Sequence, residues 1–445
     1  MKDMLFIIHD NHQDYNQFPL GIGYLAAILR QRGYSVEVYC MDIYHYTNEQ
    51  LANKLDKEEY KIIGVGFLAP RFKETILDLC KTINRHKKDA RLVLGGHCPS
   101  AIPEYILKKT QCDGIVVGEA ENCIENVLLN KQSLYYSKPV TKLDSIPFPA
   151  WDLFPMKEYT QSMFFHGMTR NDKVMQILSS RGCINKCTFC YRMKDGIRLR
   201  SWNNVIEEMQ LLNELYDVNV FQFQDELFLI SKKRLLQFKE SLEQSRMKIK
   251  FTCSARTDIF DEEMGLILKD MGCILLNIGF ESSHQEVLDC MKKNVTVKQN
   301  IDTLEICKKI GINYALNFLW GFPNDTKQSL EDNAQLIKKY NTYIQCRTIR
   351  PVTPYPGCEM YHDAIDNGLI KDAEDFFNRF KNSDLLTVNF TNYSTEQCYK
   401  WLFDVNKKLI RDHYNHQANT VINQFKDLYS GKNTVFRGAR QYLRT

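Results

Sequence analysis

Short apolar segments alternate with helical segments along most of this chain, and the alternation limits its fold more than any other feature. Five early segments have the length and apolar content of buried strands: 5–8, 34–39, 62–67, 91–96 and 114–118. Helical patterns lie between them, for example at 20–30, where Gly33 follows as a natural stop. Strands that alternate with helices predict a parallel sheet with helices on both faces. We therefore predict an α/β fold that begins with a Rossmann-like, doubly wound parallel sheet over residues 1–135.

The alternation resumes after a connector, 136–172, and continues to about residue 360. The segment 145–155 of the connector is rich in proline and aromatic residues and cannot form a regular helix. Trp151 and Phe154 are predicted to pack between the two parts of the chain. Six further strand-like segments follow, most of them ending on a polar residue or a glycine: 173–179, 219–224, 249–255, 273–280, 312–320 and 343–349. Chemistry in an α/β barrel collects at the carboxyl ends of the strands, so these endings mark the candidate site.

The last part of the chain, 361–445, is predicted to be a helical tail. Helical patterns cover 361–368, 372–380 and 395 to about 422, and the basic end, 431–445, is predicted to be frayed. We predict that this tail caps the barrel and shapes the side on which the substrate binds.

Composition limits the partners and the compartment. The net charge is 58 − 54 = +4, which is too small a bias to argue for a nucleic-acid partner. The 15 cysteines are odd in number and are spread over the chain, the N-terminus has no signal-peptide pattern, and no apolar run approaches the roughly 18 residues of a membrane span. We expect a cytoplasmic protein with reduced thiols and no membrane span.

Three cysteines lie close together directly after the first strand of the second group. Cys183, Cys187 and Cys190 have the spacing C-x3-C-x2-C. Soft thiolates suit iron–sulfur chemistry, and three of them can hold three irons of a [4Fe-4S] cube while the fourth iron stays open. A structural zinc site or three unrelated thiols are the alternatives. Zinc requires four closed ligands, and the next cysteine in the chain is Cys253.

The spacing of the triad, with the aromatic residue Phe189 before its last cysteine, resembles the signature of the radical S-adenosylmethionine (SAM) superfamily. The resemblance implies a [4Fe-4S] cluster on the triad, with SAM bound to the open iron and cleaved to a 5′-deoxyadenosyl radical. It implies a partial (β/α)6, TIM-like barrel over 173–360. It also implies an electron donor such as flavodoxin or ferredoxin.

The charges of SAM suggest roles for residues at the strand ends. Asp225 or Glu226, after the second strand, can pair with the ammonium group of SAM. Arg256, after the third strand, can bind its carboxylate through two hydrogen bonds. The alternatives are a solvated strand end for the two acids and a structural ion pair with Asp258 for the arginine.

Three further residues complete the predicted SAM site. Glu281 or Ser282, after the fourth strand, can hydrogen-bond the ribose hydroxyls, and Gly321, after the fifth, allows the backbone to approach the adenine. Glu281 lies in the tetrapeptide Gly-Phe-Glu-Ser, which closely matches the family; a structural role is the alternative.

The N-terminal part resembles the domain that binds cobalamin in some radical SAM enzymes. The resemblance rests on the segment 19–27, on Gly95 and Gly96, and on Gly118 at the start of Gly-Glu-Ala-Glu. Glycines allow the backbone to approach a large flat ligand closely. The resemblance implies a cobalamin site that includes these glycines, and His97 can line the same pocket or cap the helix that follows.

One motif departs from the pattern of cobalamin domains in which a histidine binds the cobalt. That pattern is Asp-x-His-x-x-Gly, and here Asp10 and His12 are present without the glycine. We interpret the pair as a chance match in a polar loop, and we expect His12 and His9 to be solvated. The mismatch does not exclude cobalamin, because many relatives bind it without a histidine.

Tyr355 and Cys358 follow the last predicted strand and are the only candidates for catalytic residues. Relatives commonly have Thr or Ser at the position of Cys358. A thiol near a radical can donate a hydrogen atom, and an inert loop cysteine is the alternative.

The family resemblance implies cobalamin-dependent methylation of an unactivated carbon in a small molecule. A radical SAM cyclase, oxidase or rearrangement enzyme is an alternative within enzymes. A sensor that binds a corrinoid or a cluster is a non-enzymatic alternative, and a zinc-binding scaffold is a third. No second cysteine triad or RNA-binding appendage is visible, which argues against a methylthiotransferase. Substrate and oligomeric state stay open.

Overall fold

A six-stranded sheet forms the N-terminal part of the computed structural model, which describes residues 1–13 and 15–432. Its strands are β1 (Lys2–Ile8), β2 (Val36–Cys40), β3 (Tyr60–Gly66), β4 (Arg91–Gly95), β5 (Gly114–Val117) and β6 (Leu134–Tyr136). The strand order is β2-β1-β3-β4-β5-β6, and every neighbouring pair is parallel. The predicted doubly wound sheet is confirmed, and the short β6 was not predicted. In such a sheet, ligands bind outside the carboxyl ends of the strands, at the point where the order reverses.

Helices cover both faces of this sheet. They are α1 (Leu20–Gln31), α2 (Met41–Tyr44), α3 (Asn48–Lys57), α4 (Leu77–His86), α5 (His97–Ala101), α6 (Pro103–Thr110) and α7 (Ile124–Leu129). The connector adds α8 (Met156–Gln161). Phe154 lies 4.7 Å from Phe18 of the N-terminal part, and Trp151 lies 6.5 Å from Tyr216 of the second part, measured between ring centroids. The predicted packing of these two aromatic residues between the parts is confirmed.

A second parallel sheet curls into a half-barrel. Its strands are β7 (Val174–Ile177), β10 (Val220–Phe223), β11 (Lys250–Ala255), β12 (Cys273–Glu281), β13 (Tyr314–Trp320) and β14 (Arg350–Pro351), and their order is β14-β13-β12-β11-β10-β7. A separate antiparallel hairpin, β8 (Ser180–Cys183) and β9 (Gly196–Leu199), follows β7. The predicted partial barrel is therefore confirmed.

The sixth predicted strand of the barrel, 343–349, is wrong. The sixth strand consists of residues 350 and 351 alone. The backbone before it is bonded to the C-terminal helix instead of to β13, because the Asn406 side chain accepts from the N–H of Ile349 and donates to its carbonyl, at 2.8 and 2.9 Å. Tyr343 also has a φ of +56°, which a strand does not allow.

Helices pack outside the half-barrel and continue into the tail. They are α9 (Trp202–Tyr216), α10 (Lys232–Ser245), α11 (Glu262–Asp270), α12 (Gln285–Cys290), α13 (Val297–Ile310), α14 (Lys327–Tyr340), α15 (Glu359–Asp366), α16 (Ala373–Arg379) and α17 (Thr395–Tyr429). A Ser, Thr or Asp side chain caps each of the longer barrel helices. It accepts a hydrogen bond from the backbone N–H three residues further along the chain, as Ser201 does from Asn204. The predicted helical tail is confirmed through α17, whereas the predicted frayed end falls mostly outside the described residues.

The two faces of the half-barrel sheet differ in polarity, because successive residues of a strand point to opposite faces. The outer face packs against the helices and carries large apolar residues, among them Phe221, Phe251, Leu276, Phe318 and Trp320. The inner positions carry polar or small residues, among them Gln222, Ser254, Asn277, Gly279 and Asn317. The barrel interior is therefore a polar, half-buried chamber rather than an apolar core.

An apolar plug closes the amino-terminal end of this chamber. It consists of Phe165, Met168, Val174, Val220, Leu275 and Ala315. The chamber is thus entered from the carboxyl ends of the strands or from the open edge of the half-barrel. None of the helices in the described part of the chain is both long enough and apolar enough to span a membrane.

We predict that Phe238→Ala lowers the free energy of unfolding by about 3–5 kcal/mol. Phe238 is fully buried, and its ring stacks on Trp202 at 4.3 Å between centroids, so the substitution leaves a cavity between α9, α10 and the sheet. Phe403→Ala removes the same atoms at a position that is 64% exposed, and this control is expected to change the stability by less than about 1 kcal/mol. The measurement is urea unfolding followed by circular dichroism. Equal losses for the two variants would contradict the packing described.

Candidate active site

The three cysteines lie on a loop that the hairpin holds at the carboxyl end of β7. Cys183 ends β8 opposite Gly196 of β9, and Cys187 and Cys190 lie in the loop between the two strands. The hairpin therefore brings the three thiols to the carboxyl edge of the half-barrel.

Hydrogen-bond donors and cations surround two of the three sulfur atoms. The backbone N–H and the side-chain Nδ2 of Asn185 donate to Cys183 Sγ at 3.5 and 3.4 Å. Arg256 Nη1 donates to Cys187 Sγ at 4.0 Å. Burial raises the pKa of Cys187, and the charges of Lys293 and Arg256 oppose that rise. Such donors stabilise thiolates, which is the form that binds iron, so the loop fits a cluster held by three cysteines.

Asp225 is buried beneath the cysteine hairpin, and its carboxylate accepts hydrogen bonds from hydroxyl and amide groups. Its carboxylate accepts from the Ser179 N–H at 3.1 and 3.2 Å, from the Ser179 hydroxyl at 2.7 Å and from the Ser180 hydroxyl at 2.5 Å. Burial raises its pKa, and the two serines oppose the rise. Asp225 therefore anchors the start of the hairpin to the end of β10.

Glu226 is the exposed member of the predicted acidic pair. Burial raises the pKa of Glu226, and the backbone N–H of Gly182 and the charge of Arg192 oppose the rise. Arg192 Nε lies 3.6 Å from Asp195 in an ion pair, whereas Arg192 Nη1 and Gln224 Nε2 are buried without a hydrogen-bond partner among the described residues. An exposed carboxylate near buried donors fits a ligand that carries both an ammonium and a carboxylate group.

Arg256 reaches the cysteine loop as part of an ion pair. Its Nε and Nη2 atoms donate to the Asp258 carboxylate at 3.0 and 3.2 Å, and Nη2 donates to the carbonyl of Lys293 at 2.6 Å. This ion pair with Asp258 is the alternative that the sequence left open to a role of Arg256 in binding the carboxylate of SAM. Since Nη1 also lies against Cys187, Arg256 joins the loop to the end of β11.

Glu281 and Lys293 form a buried ion pair above the barrel interior, with 2.9 Å between Glu281 Oε1 and Lys293 Nζ. Glu281 has a φ of +63°, which turns its side chain back over Gly279. A Cβ at Gly279 would lie 2.5 Å from Glu281 Oε1 and 2.9 Å from Lys293 Nζ, so a larger residue there would displace the ends of both side chains. Ser282 is fully buried in the same turn. Lys293 was not predicted, because nothing in a Lys-Lys pair within a polar loop marks one lysine as buried.

Gly321 and Phe189 lie at one junction between β13 and the cysteine loop. Gly321 has a φ of +99°, and its N–H donates to Asp325 Oδ2 at 2.9 Å. The ring of Phe322, the next residue, lies 5.6 Å from the ring of Phe189 in an edge-to-face contact. The structure thus brings these two predicted residues together.

Tyr355 and Cys358 are engaged in the protein interior. The Tyr355 hydroxyl lies 2.7 Å from Ser383 Oγ. Cys358 is 1% exposed at the start of α15, and burial raises the pKa of its thiol to about 12. Neither side chain has a free group that points into the chamber.

The residue after the triad, Tyr191, contacts the N-terminal part of the chain. Its ring lies 5.9 Å from the ring of His97. A Cβ at Gly357, where φ is +93°, would lie 2.6 Å from the Tyr191 ring and 2.9 Å from Ala101, so this glycine permits a three-way contact. The cysteine loop is therefore packed against the carboxyl edge of the N-terminal sheet.

The four residues predicted for cobalamin lie at that edge. Gly96 and Gly118, after β4 and β5, have φ values of +99° and +96°. A Cβ at Gly96 would lie 2.9 Å from the carbonyl oxygen of Phe67, so Gly96 is needed for the close approach of the backbone, whereas a Cβ at Gly95 would make an ordinary contact with Val116 at 3.9 Å. Burial lowers the pKa of His97, which keeps its imidazole neutral.

The first strand ends in a histidine that is buried rather than solvated. His9 is 8% exposed, burial lowers its pKa to about 4, and its Nδ1 has no hydrogen-bond partner in the described chain. The prediction for His9 is therefore wrong, because the loop folds back over the sheet. His12 is exposed as predicted, and its Nδ1 lies 3.2 Å from Asp10, which also pairs with His45 at 2.9 Å. An unpartnered buried nitrogen at the carboxyl edge fits a polar ligand there.

An ion cluster joins the two parts of the chain. Arg181 and Arg198 are directly opposite each other in the cysteine hairpin. Arg181 Nη1 lies 2.6 Å from Glu121 and 3.3 Å from Glu119, and Arg198 Nη1 donates to Glu119 at 2.8 Å. The guanidinium carbon of Arg181 also lies 5.3 Å from the centroid of the Tyr24 ring. The cysteine hairpin is thus held on the glutamates that follow β5.

Two family models match the chain. One, described as the radical SAM superfamily, matches residues 177–337, and the other, described as the B12 binding domain, matches residues 12–128. Together they cover the cysteine loop, strands β10 to β13 of the half-barrel and strands β2 to β5 of the N-terminal sheet.

Two relatives and one solved structure illustrate the similarity. An uncharacterized methyltransferase of Pyrococcus horikoshii is 28% identical over 403 residues, which is 85% of this chain and 82% of the relative. The anaerobic magnesium-protoporphyrin IX monomethyl ester cyclase of Rubrivivax gelatinosus is 24% identical over 389 residues, 80% of this chain and 68% of the relative. The fold is similar to that of the radical SAM methyltransferase TsrM from Kitasatospora setae, solved with cobalamin and a [4Fe-4S] cluster, with a TM-score of 0.64, 16% identity, and coverage of 84% of this chain and 80% of that one.

We predict that Arg181→Met destabilises the protein by about 3–5 kcal/mol, because it leaves the buried carboxylate of Glu121 without its partner. Adding Glu121→Gln to this variant is expected to restore part of the loss. Lys298→Met breaks an ion pair whose side chains are 82% and 52% exposed, and is expected to change the stability by less than about 1 kcal/mol. Thermal unfolding of the four proteins provides the comparison. A loss for Arg181→Met no larger than that for Lys298→Met would contradict a buried cluster.

Proposed function

We propose that this chain, which belongs to the radical SAM superfamily and carries an N-terminal B12-binding domain, is a methyltransferase that acts on a small molecule. The observation that carries the proposal is the contact between the cysteine loop and the N-terminal sheet. The rings of Tyr191 and His97 are 5.9 Å apart, so cofactors held at these two edges would face each other.

We assign the [4Fe-4S] cluster to Cys183, Cys187 and Cys190, whose loop supplies hydrogen-bond donors to the sulfurs. We assign cobalamin to the carboxyl edge of the N-terminal sheet, beside Gly95, Gly96, His97 and Gly118. The close approach of the backbone at Gly96 and the unpartnered Nδ1 of His9 support that assignment.

We assign the ammonium group of SAM to Glu226 rather than to Asp225, because Ser179 and Ser180 already occupy Asp225. Arg192 Nη1, which is buried without a hydrogen-bond partner among the described residues, suits the carboxylate of SAM, a role that the sequence suggested for Arg256. In this assignment Arg256 positions the cysteine loop through its contact with Cys187.

The ribose and the adenine are assigned to the ends of β12 and β13. Glu281, held by Lys293, faces the ribose, and the backbone at Gly321 faces the adenine, with Phe189 and Phe322 packed behind it. Ser282 is fully buried and supports the turn of Glu281.

When bound, the cluster supplies the electron that splits SAM, and cobalamin carries the methyl group. The residues of this chain hold the reactants in place and exclude water. The apolar plug closes the far end of the chamber, and the ion cluster of Arg181 and Arg198 with Glu119 and Glu121 fixes the cysteine hairpin against the cobalamin edge.

The finer activity that we propose is methylation of an unactivated carbon. Ring formation without methyl transfer is the second candidate, because a relative of 24% identity over 80% of this chain is a cyclase. A small reducing protein such as flavodoxin or ferredoxin is the proposed electron donor. We place the protein in the cytoplasm, because its 15 cysteines are all free, as a reducing compartment requires.

We predict that Cys187→Ala abolishes the cluster and the cleavage of SAM, because a cube with two protein ligands is not retained. Cys346→Ala is the matched control, since Cys346 is exposed and lies outside the loop. After anaerobic reconstitution, iron content and 5′-deoxyadenosine are measured, with circular dichroism as the check on folding. Normal iron and normal cleavage in Cys187→Ala would refute the assignment of the cysteine triad.

Methyl transfer and ring formation are separated by the products of SAM. We predict that the reconstituted protein forms S-adenosylhomocysteine from SAM only when cobalamin is present, in an amount close to the amount of cobalamin bound. A cyclase that transfers no methyl group forms 5′-deoxyadenosine alone. Liquid chromatography with mass spectrometry measures both products, and the absence of S-adenosylhomocysteine in the presence of bound cobalamin would favour the cyclase.

A further inference from the structure

The chamber inside the half-barrel is lined by uncharged polar groups below the level of Glu281. Gln222, Ser254, Asn277 and Asn317 are half-buried and occupy inner positions of four neighbouring strands. Within the part of the chain that the structure describes, no Asp or Glu occupies an inner position of β10 to β13 below Glu281. The lining can therefore hydrogen-bond a ligand but supplies no negative charge.

The guanidinium of Arg347 reaches this lining. Arg347, which precedes β14, donates from Nη1 to Asn317 Oδ1 at 3.3 Å and from Nη2 to Gln345 Oε1. Asn317 is the register partner of Gly279, over which the Glu281 side chain lies. The guanidinium therefore hydrogen-bonds at the level of Gly279, which lies two residues before Glu281 in β12.

The charge of Arg347 has no counter-ion among the described residues. No carboxylate there lies within 4.0 Å of its guanidinium, and its side chain is half-buried. A like charge, Arg350, acts on Arg347 and pairs instead with Asp384 at 2.9 Å near the surface. A partly buried cation without a counter-ion is costly, and an anionic ligand would offset that cost.

We infer that Arg347, with the Asn317 amide beside it, binds an anionic group of the substrate, either a carboxylate or a phosphate, at the floor of the chamber. A guanidinium binds either oxyanion through two parallel N–H bonds. This inference rests on the proposed function in taking the chamber as the substrate site. It assigns a substrate class: a small polar molecule whose anionic end points to the floor and whose reacting carbon lies near Glu281.

The test is protection of Arg347 against phenylglyoxal, which modifies arginine side chains. The anaerobically reconstituted protein with SAM is treated with the reagent alone or together with one of four probes: benzoate, benzamide, phenyl phosphate and benzyl alcohol. Peptide mass spectrometry follows Arg347 and, as an internal reference, Arg379, an exposed arginine paired with Asp375.

We expect at least one anionic probe to slow the modification of Arg347 about five-fold, as for a site that is four-fifths occupied, without slowing that of Arg379. The two neutral probes are expected to give no protection. Stronger protection by benzoate identifies a carboxylate, and stronger protection by phenyl phosphate identifies a phosphate group. Equal rates with and without anions, or equal protection by the neutral probes, would overturn the inference.

Two variants make the test specific. Asn317→Leu, which removes the acceptor that orients the guanidinium, is expected to lose the protection, whereas Arg350→Gln, at the surface three residues away, is expected to keep it. Loss of protection in Arg350→Gln as well would contradict a site at Arg347. Formation of 5′-deoxyadenosine is measured in the same preparation. Its absence would count against the proposed function alone, because protection of Arg347 requires no turnover.

Discussion

The arrangement of the two cofactor edges depends on the ion cluster between the cysteine hairpin and the N-terminal sheet. Arg181 and Arg198 stand side by side on the hairpin, and both bond glutamates that directly follow β5. Because these charges are largely buried, separating the two parts of the chain would leave uncompensated charges at both surfaces. The same hairpin carries Cys183 at its end, so the contact that docks the domains also positions the thiols. Docking of the N-terminal sheet and formation of the cluster site are therefore one structural event.

The two faces of the half-barrel sheet have different roles: the outer face stabilises the fold, and the inner face lines the candidate site. The outer face packs aromatic and aliphatic side chains against the helices, and this packing holds the strand ends in place. The inner face carries amides, a serine and a glycine, and the charged groups stand at its rim, where Glu281, Lys293 and Arg256 surround the cysteine loop. Charges at the rim can bind and orient an ionic cofactor, whereas the uncharged lining with Arg347 suits a substrate that is held by its anionic end.

Local patterns were sufficient to predict most of the strands and helices and the cysteine loop, because strand and helix periodicities and the spacing of Cys183, Cys187 and Cys190 are properties of neighbouring residues. Contacts between distant residues were not predictable. Nothing in the sequence indicated that two serines would occupy Asp225, that Lys293 would be buried against Glu281, or that Asn406 would take the backbone bonds of 349 and so leave 343–349 unpaired. The sequence alone predicts a solvated position for His9, because the burial of this residue depends on how a polar loop folds back over the sheet.

The central claim is that three cysteines hold a cluster whose open iron binds SAM, and electron paramagnetic resonance of the reduced, reconstituted protein tests it most directly. We predict the signal of a reduced [4Fe-4S] cluster whose g-values change when SAM is added, because SAM bound at the open iron would alter the surroundings of the cluster. A cluster signal that SAM leaves unchanged, or a protein that binds zinc and gives no cluster signal, would contradict the account.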